Sequence, residues 1–504
     1  MGESAATTSS LDVFDARCSQ ALREELPGLE AAFDEGRMRG HLQAALFEGD
    51  GHRYIIERCD RGKAAYVPDE GCVVRYAIAV RDHVGGLVTQ ALVSGRLFAS
   101  ARASRMHFES CLALAAAMHG RNDVAPFATR VAMLEPLAMN VSLYPIDGEL
   151  PTLVGATDPA TVLEILRDAL PRAIGTPFTP LRCGVDVAHY PREHHCVLRY
   201  TLEGTRSNGG ETSRMTVFGK VAANDRGTLT AVAVPELHER LLGGKTRRFT
   251  VPRSLGFVDR LKLTLLEAIS GVPRIGQLLR ERLQEGRGPD GTPTLEGAID
   301  AAAGVAAGLH TSSIALGPNR RIQDELLELE QARLVLQRLS PHLGAAFHEW
   351  LEAVAAYAGM SDPWSACFTH GDFSPSQLLF SGEQCSLIDF DTVCQAEPAL
   401  DLGAFIAYLR LSSRKAGASA SAGGRAATEG LCARFLEAYM VECGLGPGAR
   451  EALRVRVHLY EMVSLLRLAF HSWLKFKPAR LEIAAGLTRE RIAEWRENAG
   501  TMRS

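Results

Sequence analysis

Apolar and polar residues alternate most clearly in two blocks of this chain. The first runs GCVVRYAIAV (Gly71 to Val80), turns at Gly85-Gly86 and resumes as LVTQALVSGRLF (Leu87 to Phe98). A helical stretch from about Ser104 to His119 follows, then two apolar strands, VAMLEPL (Val131 to Leu137) and NVSLYPI (Asn140 to Ile146). The second block holds CGVDVAHY (Cys183 to Tyr190), CVLRYTLE (Cys196 to Glu203) and MTVFGKVAA (Met215 to Ala223), joined by polar turns. Such alternation between turn-forming clusters predicts half-buried strands. The two blocks are related. A shift of 124 positions sets Tyr66 on Tyr190, Cys72-Val73 on Cys196-Val197 and Arg75-Tyr76 on Arg199-Tyr200. It also sets Gly85-Gly86 on Gly209-Gly210, Val93 on Val217 and Gly95 on Gly219, without a gap. Self-similarity over so long a period predicts a repeated supersecondary unit.

Outside the repeat the pattern is mostly helical. Residues 1 to about 64 carry helical material around Leu11 to Leu46. Thr228 to Leu242 is helical in character, interrupted by Pro235, and Leu261 to Ile269 alternates into an apolar strand. Helices are expected at Glu296 to Ile314, Gln323 to Leu339, Ala345 to Tyr357 and Leu402 to Leu411. Ser412 to Gly430 is low in complexity and reads as a mobile loop. Three more helices, Leu431 to Val441, Leu453 to Lys475 and Ala479 to Asn498, follow it, the middle one apolar enough for a core.

One stretch departs from this texture. Between Cys367 and Gly403 a tripeptide His370-Gly371-Asp372 is followed five residues later by Gln377 and the apolar run Leu378-Leu379-Phe380. A turn at Ser381 to Glu383 leads to a second run ending Leu387-Ile388-Asp389-Phe390-Asp391. An antiparallel hairpin of these runs brings the polar groups at its two ends together. Phosphoryl transfer needs such a set: a carboxylate to receive the proton of an attacking hydroxyl, and oxygen ligands to hold magnesium on the phosphates. Protein kinases order them H-R-D-x-x-x-x-N and then D-F-G. Here the order is H-G-D-x-x-x-x-Q and then D-F-D, with the spacing kept. By contrast, the G-x-G-x-x-G match at Gly286 to Gly291 contains Pro289 and follows no strand, so it reads as a surface turn.

Composition narrows the field. A length of 504 residues suits about three domain-sized units. A net charge of −4 gives no electrostatic footprint for nucleic acid. The eleven cysteines form no C-x-x-C pair, which argues for a reducing interior. No apolar run approaches the roughly 20 residues of a membrane helix, and the first ten residues lack a signal peptide's pattern. The expectation is a cytoplasmic protein with neither nucleic-acid nor membrane partner.

With HGD, the I-D-F-D run and Pro398-Ala399-Leu400-Asp401-Leu402-Gly403 in order, the sequence resembles the aminoglycoside phosphotransferase/choline kinase-like family, in a branch with Gln in place of the catalytic-loop Asn. The resemblance implies an α+β, bilobal protein-kinase-like fold. It would have a mainly antiparallel β amino-terminal lobe, a helical carboxy-terminal lobe, and an additional N-terminal α/β segment resembling a duplicated lobe. The expected boundaries are a helical segment (1–64), a degenerate lobe-like domain (65–180), a nucleotide-binding lobe (181–270) and a helical lobe (271–504) carrying the hairpin (367–403). It further implies an ATP- and Mg²⁺-dependent phosphotransferase acting on a hydroxyl of a small molecule such as an aminoglycoside, sugar or amino-alcohol. The nucleotide is expected between the two lobes. The alternative is a catalytically inactive kinase-like binding or regulatory protein.

Transferred residue by residue, the resemblance makes Asp372 the catalytic carboxylate and Gln377 and Asp389 metal ligands, with Asp391 an additional candidate. Lys220, in the third strand of the second block, would grip the α- and β-phosphates, with Glu236 or Glu239 as its carboxylate partner. Glu267, Ala268 and Ile269 would form the hinge whose backbone meets the adenine. His370, Asp401 and His310 are read as structural braces.

Overall fold

The computed structural model describes residues 19–501 except 48, 50–51, 119, 122–126, 128, 175–177, 191–193, 207–211, 224, 244–248, 286–292 and 418–421. The turn at Gly286 to Gly291 therefore lies outside the described residues. The chain divides into two compact units. One comprises 1–225 with 256–265 and 473–477; the other comprises 226–255, 266–472 and 478–504. The architecture is mixed α+β with antiparallel sheets.

The first unit is built on two five-stranded sheets. The first holds β1 (Tyr54–Val67), β2 (Gly71–Asp82), β3 (Val88–Leu97), β4 (Val131–Leu134) and β5 (Met139–Leu143), ordered β1-β2-β3-β5-β4. The second holds β6 (Phe178–His189), β7 (His195–Arg206), β8 (Thr212–Ala222), β9 (Ser254–Val258) and β10 (Leu263–Glu267), ordered β6-β7-β8-β10-β9. The offset of 124 seen in the sequence persists at the level of register. Tyr54 pairs with Asp82 and Phe178 with Arg206; Cys72 pairs with Leu97 and Cys196 with Val221. Even the irregularity at Ile56/Arg58 recurs at Pro180/Arg182.

The packing repeats as well. Tyr76 is buried and donates to the Ala32 carbonyl at 2.7 Å; Tyr200 is buried and donates to the Ala156 carbonyl at 2.8 Å. Each such bond contributes about 1 kcal/mol net, and leaving a buried hydroxyl unpaired would cost more. A Cβ on Gly95 would collide with Met139 and crowd Tyr76, and one on Gly219 would collide with Tyr200 and Leu263. Both copies place a left-handed residue, Ala138 (φ 47°) and Lys262 (φ 47°), after a short 3₁₀ turn and before the fourth-paired strand.

The first sheet begins earlier than the change of texture at Ala65 suggests. Its opening strand is exposed over much of Tyr54 to Lys63, so YIIERCDRGK shows little of the alternation that marks a half-buried strand.

The second unit is mainly helical. Its central helix, Leu295–His310, buries Ala298, Ile299, Ala302, Ala303, Val305, Ala306 and Leu309 completely, as its alanine-rich sequence foretells. Helices Ile322–Leu339 and Pro341–Ala358 break at Pro341, where proline occupies the first helical turn. Helix Pro447–Leu474 carries a fully buried row including Leu453, Leu459, Val463 and Leu466. Arg456 on that helix, 1% exposed, pairs with buried Glu397 at 2.6 Å. Tyr460 and the Trp364 amide also donate to Glu397, at 3.1 and 3.0 Å. So complete a set of partners is what an ion pair needs when it is taken out of water.

Two sequence expectations are corrected here. Pro235 does not interrupt its helix, which runs Arg226–Gly243. The proline is exposed, while Thr230, Ala233, Val234 and Leu237 keep one face buried, so its missing N–H falls on the solvent side. Nor is Ser412 to Gly430 a loop throughout, residues 418–421 of it lying outside the described residues. Ser412–Lys415 end helix Ala399–Lys415, and Ala422–Gly430 open helix Ala422–Glu442. The ends are joined by contacts that composition hides: Arg410 to Glu429 at 2.9 Å, and Ser413 to Thr428. Among the described residues no helix is long and apolar enough to cross a membrane.

Candidate active site

In the second unit the spacing of HGD and DFD becomes geometry. Strand Cys367–Thr369 pairs antiparallel with Cys394–Ala396, and Leu378–Ser381 forms a hairpin with Gln384–Leu387. Val272–Pro273 adds a third strand at Leu379 and Phe380. The loop from His370 to Gln377 therefore leaves one small sheet and enters another, and Asp389 leaves the second on the return path. The two ends meet: Gln377 Nε2 donates to Asp389 Oδ2 at 3.3 Å, and the Ile388 amide donates to the Gln377 carbonyl at 3.1 Å.

Asp372 joins them. Burial pushes its carboxyl above the usual carboxylate range and the Asp389 charge adds to this, while His370, the Gln377 amide and Arg467 pull the other way. Two carboxylates and an amide thus share one partly dry corner. Asp389 itself adopts φ 72°, the left-handed region that aspartate tolerates better than most residues. Sparsely populated backbone of this kind collects at functional sites, where surrounding contacts over-determine it. Here Phe390, fully buried, fixes the next side chain, and the His370 ring lies against it at 5.4 Å.

The loop is held from behind by Asp401, fully buried in the first turn of helix Ala399–Lys415. Its Oδ2 accepts from the His370 amide at 2.7 Å and its Oδ1 from the Gly371 amide at 2.9 Å. His310 Nε2 lies 3.1 Å from the same carboxylate, and its Nδ1 lies 2.9 Å from the Tyr439 hydroxyl. His370 Nε2 lies 3.0 Å from the Ile388 carbonyl, and Thr392 donates to the His370 carbonyl at 3.0 Å. A Cβ on Gly371, at φ 79°, would fall onto the Thr392 carbonyl oxygen. Gly371→Ala is therefore expected to lower stability by roughly 1–3 kcal/mol, read as a shift of the denaturation midpoint. An unchanged midpoint would show the loop free to move away.

The remaining candidates stand elsewhere. Asp391 accepts from Thr230 at 2.8 Å, so one of its oxygens already has a protein donor. Glu236 pairs with Arg240 at 3.1 Å, and Glu239 is exposed. Glu267 ends β10, where its amide donates to the Arg253 carbonyl at 2.9 Å; Ala268 and Ile269 follow in irregular backbone. Lys220 belongs to the first unit, half-buried on β8 opposite Val197.

Sequence reasoning did not find Arg467, whose charge acts on Asp372 and which is itself held by Glu325 and Glu328. Nor did it find Thr230 or Tyr439. All three lie on helices, where a polar residue at one position carries no signal of its distant partner. Among the described residues no group of three or more His, Cys, Asp or Glu is arranged to hold a metal ion.

Residues 233–439 match the model of the phosphotransferase enzyme family, APH. Lys220 precedes that stretch, whereas Asp372, Gln377, Asp389 and Asp391 fall inside it. No curated protein matches the chain. Among solved structures, a glucosamine kinase in complex with glucosamine, ADP and inorganic phosphate is similar at 13% identity, over 57% of this chain and 80% of that one, with a TM-score of 0.44. A thermostable mutant of aminoglycoside phosphotransferase APH(4)-Ia is similar at 12% identity, over 65% and 98%, with a TM-score of 0.41. A choline/ethanolamine kinase family protein from Mesorhizobium loti is similar at 14% identity, over 62% and 91%, with a TM-score of 0.40. Residues 233–439, the stretch that carries the HGD and DFD segments, are thus similar to the phosphotransferase enzyme family.

Proposed function

We propose that this protein is a kinase of a small hydroxylated molecule, using ATP with magnesium in a protein-kinase-like arrangement. The observation that carries the reading is the meeting of Asp372, Gln377 and Asp389, three residues brought together by an intact hairpin and braced by Asp401. Asp372 orients the acceptor hydroxyl and takes its proton late. In a loose transition state positioning outweighs basicity, so Asp372 serves even as a modest base.

The donor set fits magnesium. That ion takes one or two protein carboxylates and fills the rest of its octahedron with water and phosphate oxygens, so fewer than three protein carboxylates suffice. Asp389 is the first ligand. Gln377 is the second, once its amide turns over to present Oε1; oxygen and nitrogen ends are exchangeable assignments of one shape. When bound, magnesium neutralises charge developing on the transferred phosphoryl group. Asp391 is the weaker ligand candidate because Thr230 occupies one oxygen. Lys220 is assigned to the α- and β-phosphates by its place in the third strand, and the backbone of Glu267 to Ile269 to the adenine. Engagement with Arg240 makes Glu236 a poor partner for that lysine.

The first copy of the repeat, within 65–180, we assign no catalytic role. At the position equivalent to Lys220 stands Arg96, 5% exposed and bound to Glu70 at 2.6 Å and Glu149 at 2.8 Å. That cation is already neutralised, and no HGD segment follows before the second copy begins. The expected result is one ATP bound per chain by calorimetry, with Lys220→Ala weakening it and Arg96→Ala leaving stoichiometry unchanged. Two sites, or none, would contradict the assignment. Turnover is tested by ATP consumption across a panel of amino sugars, sugars and amino-alcohols; an inert wild-type protein on every acceptor would favour a binding role.

A further inference from the structure

The HGD loop rests on one face of helix Ala399–Lys415, and that face continues past it. Asp401 accepts from the His370 and Gly371 amides at 2.7 and 2.9 Å. Phe405, one turn on, sets its ring 5.6 Å from that of fully buried Phe373. Positions three and four apart share a helix face, so Tyr408 is the next residue of the row. It stands within electrostatic reach of Asp372 and is hydrogen-bonded to Arg480, in the first turn of helix Pro478–Thr501. A guanidinium can only donate, so the Tyr408 oxygen accepts and its own O–H is left to donate elsewhere. Burial pushes this phenol above its ordinary value and the Asp372 charge adds to it, while Arg480 and Arg467 pull it down.

The two arginines differ. Arg467 is held by Glu325 and Glu328, and Arg320 pairs with each of them at 2.7 Å, so two cations face two carboxylates. Among the described residues Arg480 has no ion pair, and its Nε is buried without an acceptor. A donor taken out of water and left unmet is costly. The position adds to the cost. The first turn of this 24-residue helix carries no acidic residue, and a helix start favours anions over cations. Helix end and guanidinium therefore add as positive charge near Asp372, and no described carboxylate is paired with them.

We propose that Arg480 and Tyr408 form an acceptor subsite for an anionic group, carboxylate or phosphate, carried by the molecule whose hydroxyl meets Asp372. The inference rests on the kinase reading above and narrows its substrate class to hydroxylated acids. The planar fork of Arg480 suits two oxygens of such a group, and the Tyr408 hydroxyl supplies a further donor. Arg467 stays with its glutamates and lends field rather than contact. An amino sugar would bring a cation to a subsite whose uncommitted charge is already positive. Arg480 and Tyr408 bind the acceptor and take no part in the chemical step.

Steady-state kinetics on matched acceptors, with ATP and magnesium, tests the subsite. Glucuronate is set against glucose and glucosamine, and glycerate and glycerol phosphate against glycerol. Wild type is expected to favour the acid of a set by about 10- to 100-fold in kcat/KM, the weight of hydrogen bonds to a charged group. Arg480→Ala should erase that preference through the KM for the acid, while the calorimetric Kd for ATP with magnesium holds. Arg480→Lys keeps the charge without the fork and should retain part of the preference. Tyr408→Phe, a milder change, reads the same preference should Arg480→Ala melt far below wild type. Glycerate preferred over glycerol phosphate identifies a carboxylate and the reverse a phosphate; either supports the subsite. Neutral or amino acceptors turned over at least as well as the acids would overturn it and leave the kinase reading standing. So would an acid preference that survives these variants, or a loss of ATP affinity in Arg480→Ala, which would place Arg480 on the nucleotide. If wild type phosphorylates no acceptor of either set, the kinase reading fails and the subsite fails with it.

Discussion

Asp372→Asn is expected to abolish turnover, by about 10²–10⁴-fold, with little change in affinity for ATP and magnesium. Asparagine fills the same space and still offers Gln377 an oxygen, so the loop anchored by Asp401 need not move. What is lost is the group that aligns the acceptor hydroxyl and receives its proton. The split matters more than the loss: a fall in kcat with an unchanged calorimetric Kd assigns Asp372 to the chemical step. Equal loss of both would make it a structural residue of the corner, and undiminished turnover would sink its catalytic role.

Asp389→Ala is expected to remove binding of the metal–nucleotide complex by at least the roughly 10–100-fold that supporting partners of a metal ligand already contribute. Because Asp389 sits at φ 72°, alanine adds backbone strain to the loss of charge. Asp389→Asn separates the two, since asparagine tolerates that region. If Asp389→Asn also loses the complex while melting like wild type, the carboxylate itself is the ligand. Gln377→Ala should act more gently, raising the magnesium concentration needed for half-maximal rate before it lowers the maximal rate. A Gln377→Ala protein with wild-type magnesium dependence would show that the amide only buttresses Asp389.

The parts legible in the sequence were those carried by local patterning. The hairpin was visible because two short apolar runs flank a glycine turn, and its end groups followed from pairing Leu378 with Leu387. The repeat was visible because Tyr76, Gly95 and their equivalents are held by packing that admits few substitutes. The opening strand of the first copy was not, because an exposed strand has no apolar rhythm. Helix Ala422–Glu442 was misread because alanine, glycine and serine resemble a linker until Arg410 and Thr428 show what they meet. Arg467 was invisible for another reason: its effect on Asp372 depends on helix packing, which spacing along the chain does not encode.

The unbroken offset of 124 has a consequence for what the repeated region can tolerate. In a strand pair, one added or missing residue turns every following side chain to the opposite face. The strand pairs that set Cys72 opposite Leu97 and Cys196 opposite Val221 are therefore intolerant of a change in length. Insertional mutagenesis should find both copies rigid in length, with a single added codon inside β2 or β7 far more damaging than most substitutions there. Segments traded between equivalent positions of the two copies would fit without resizing a loop, so the chain carries its own library of length-matched replacement parts.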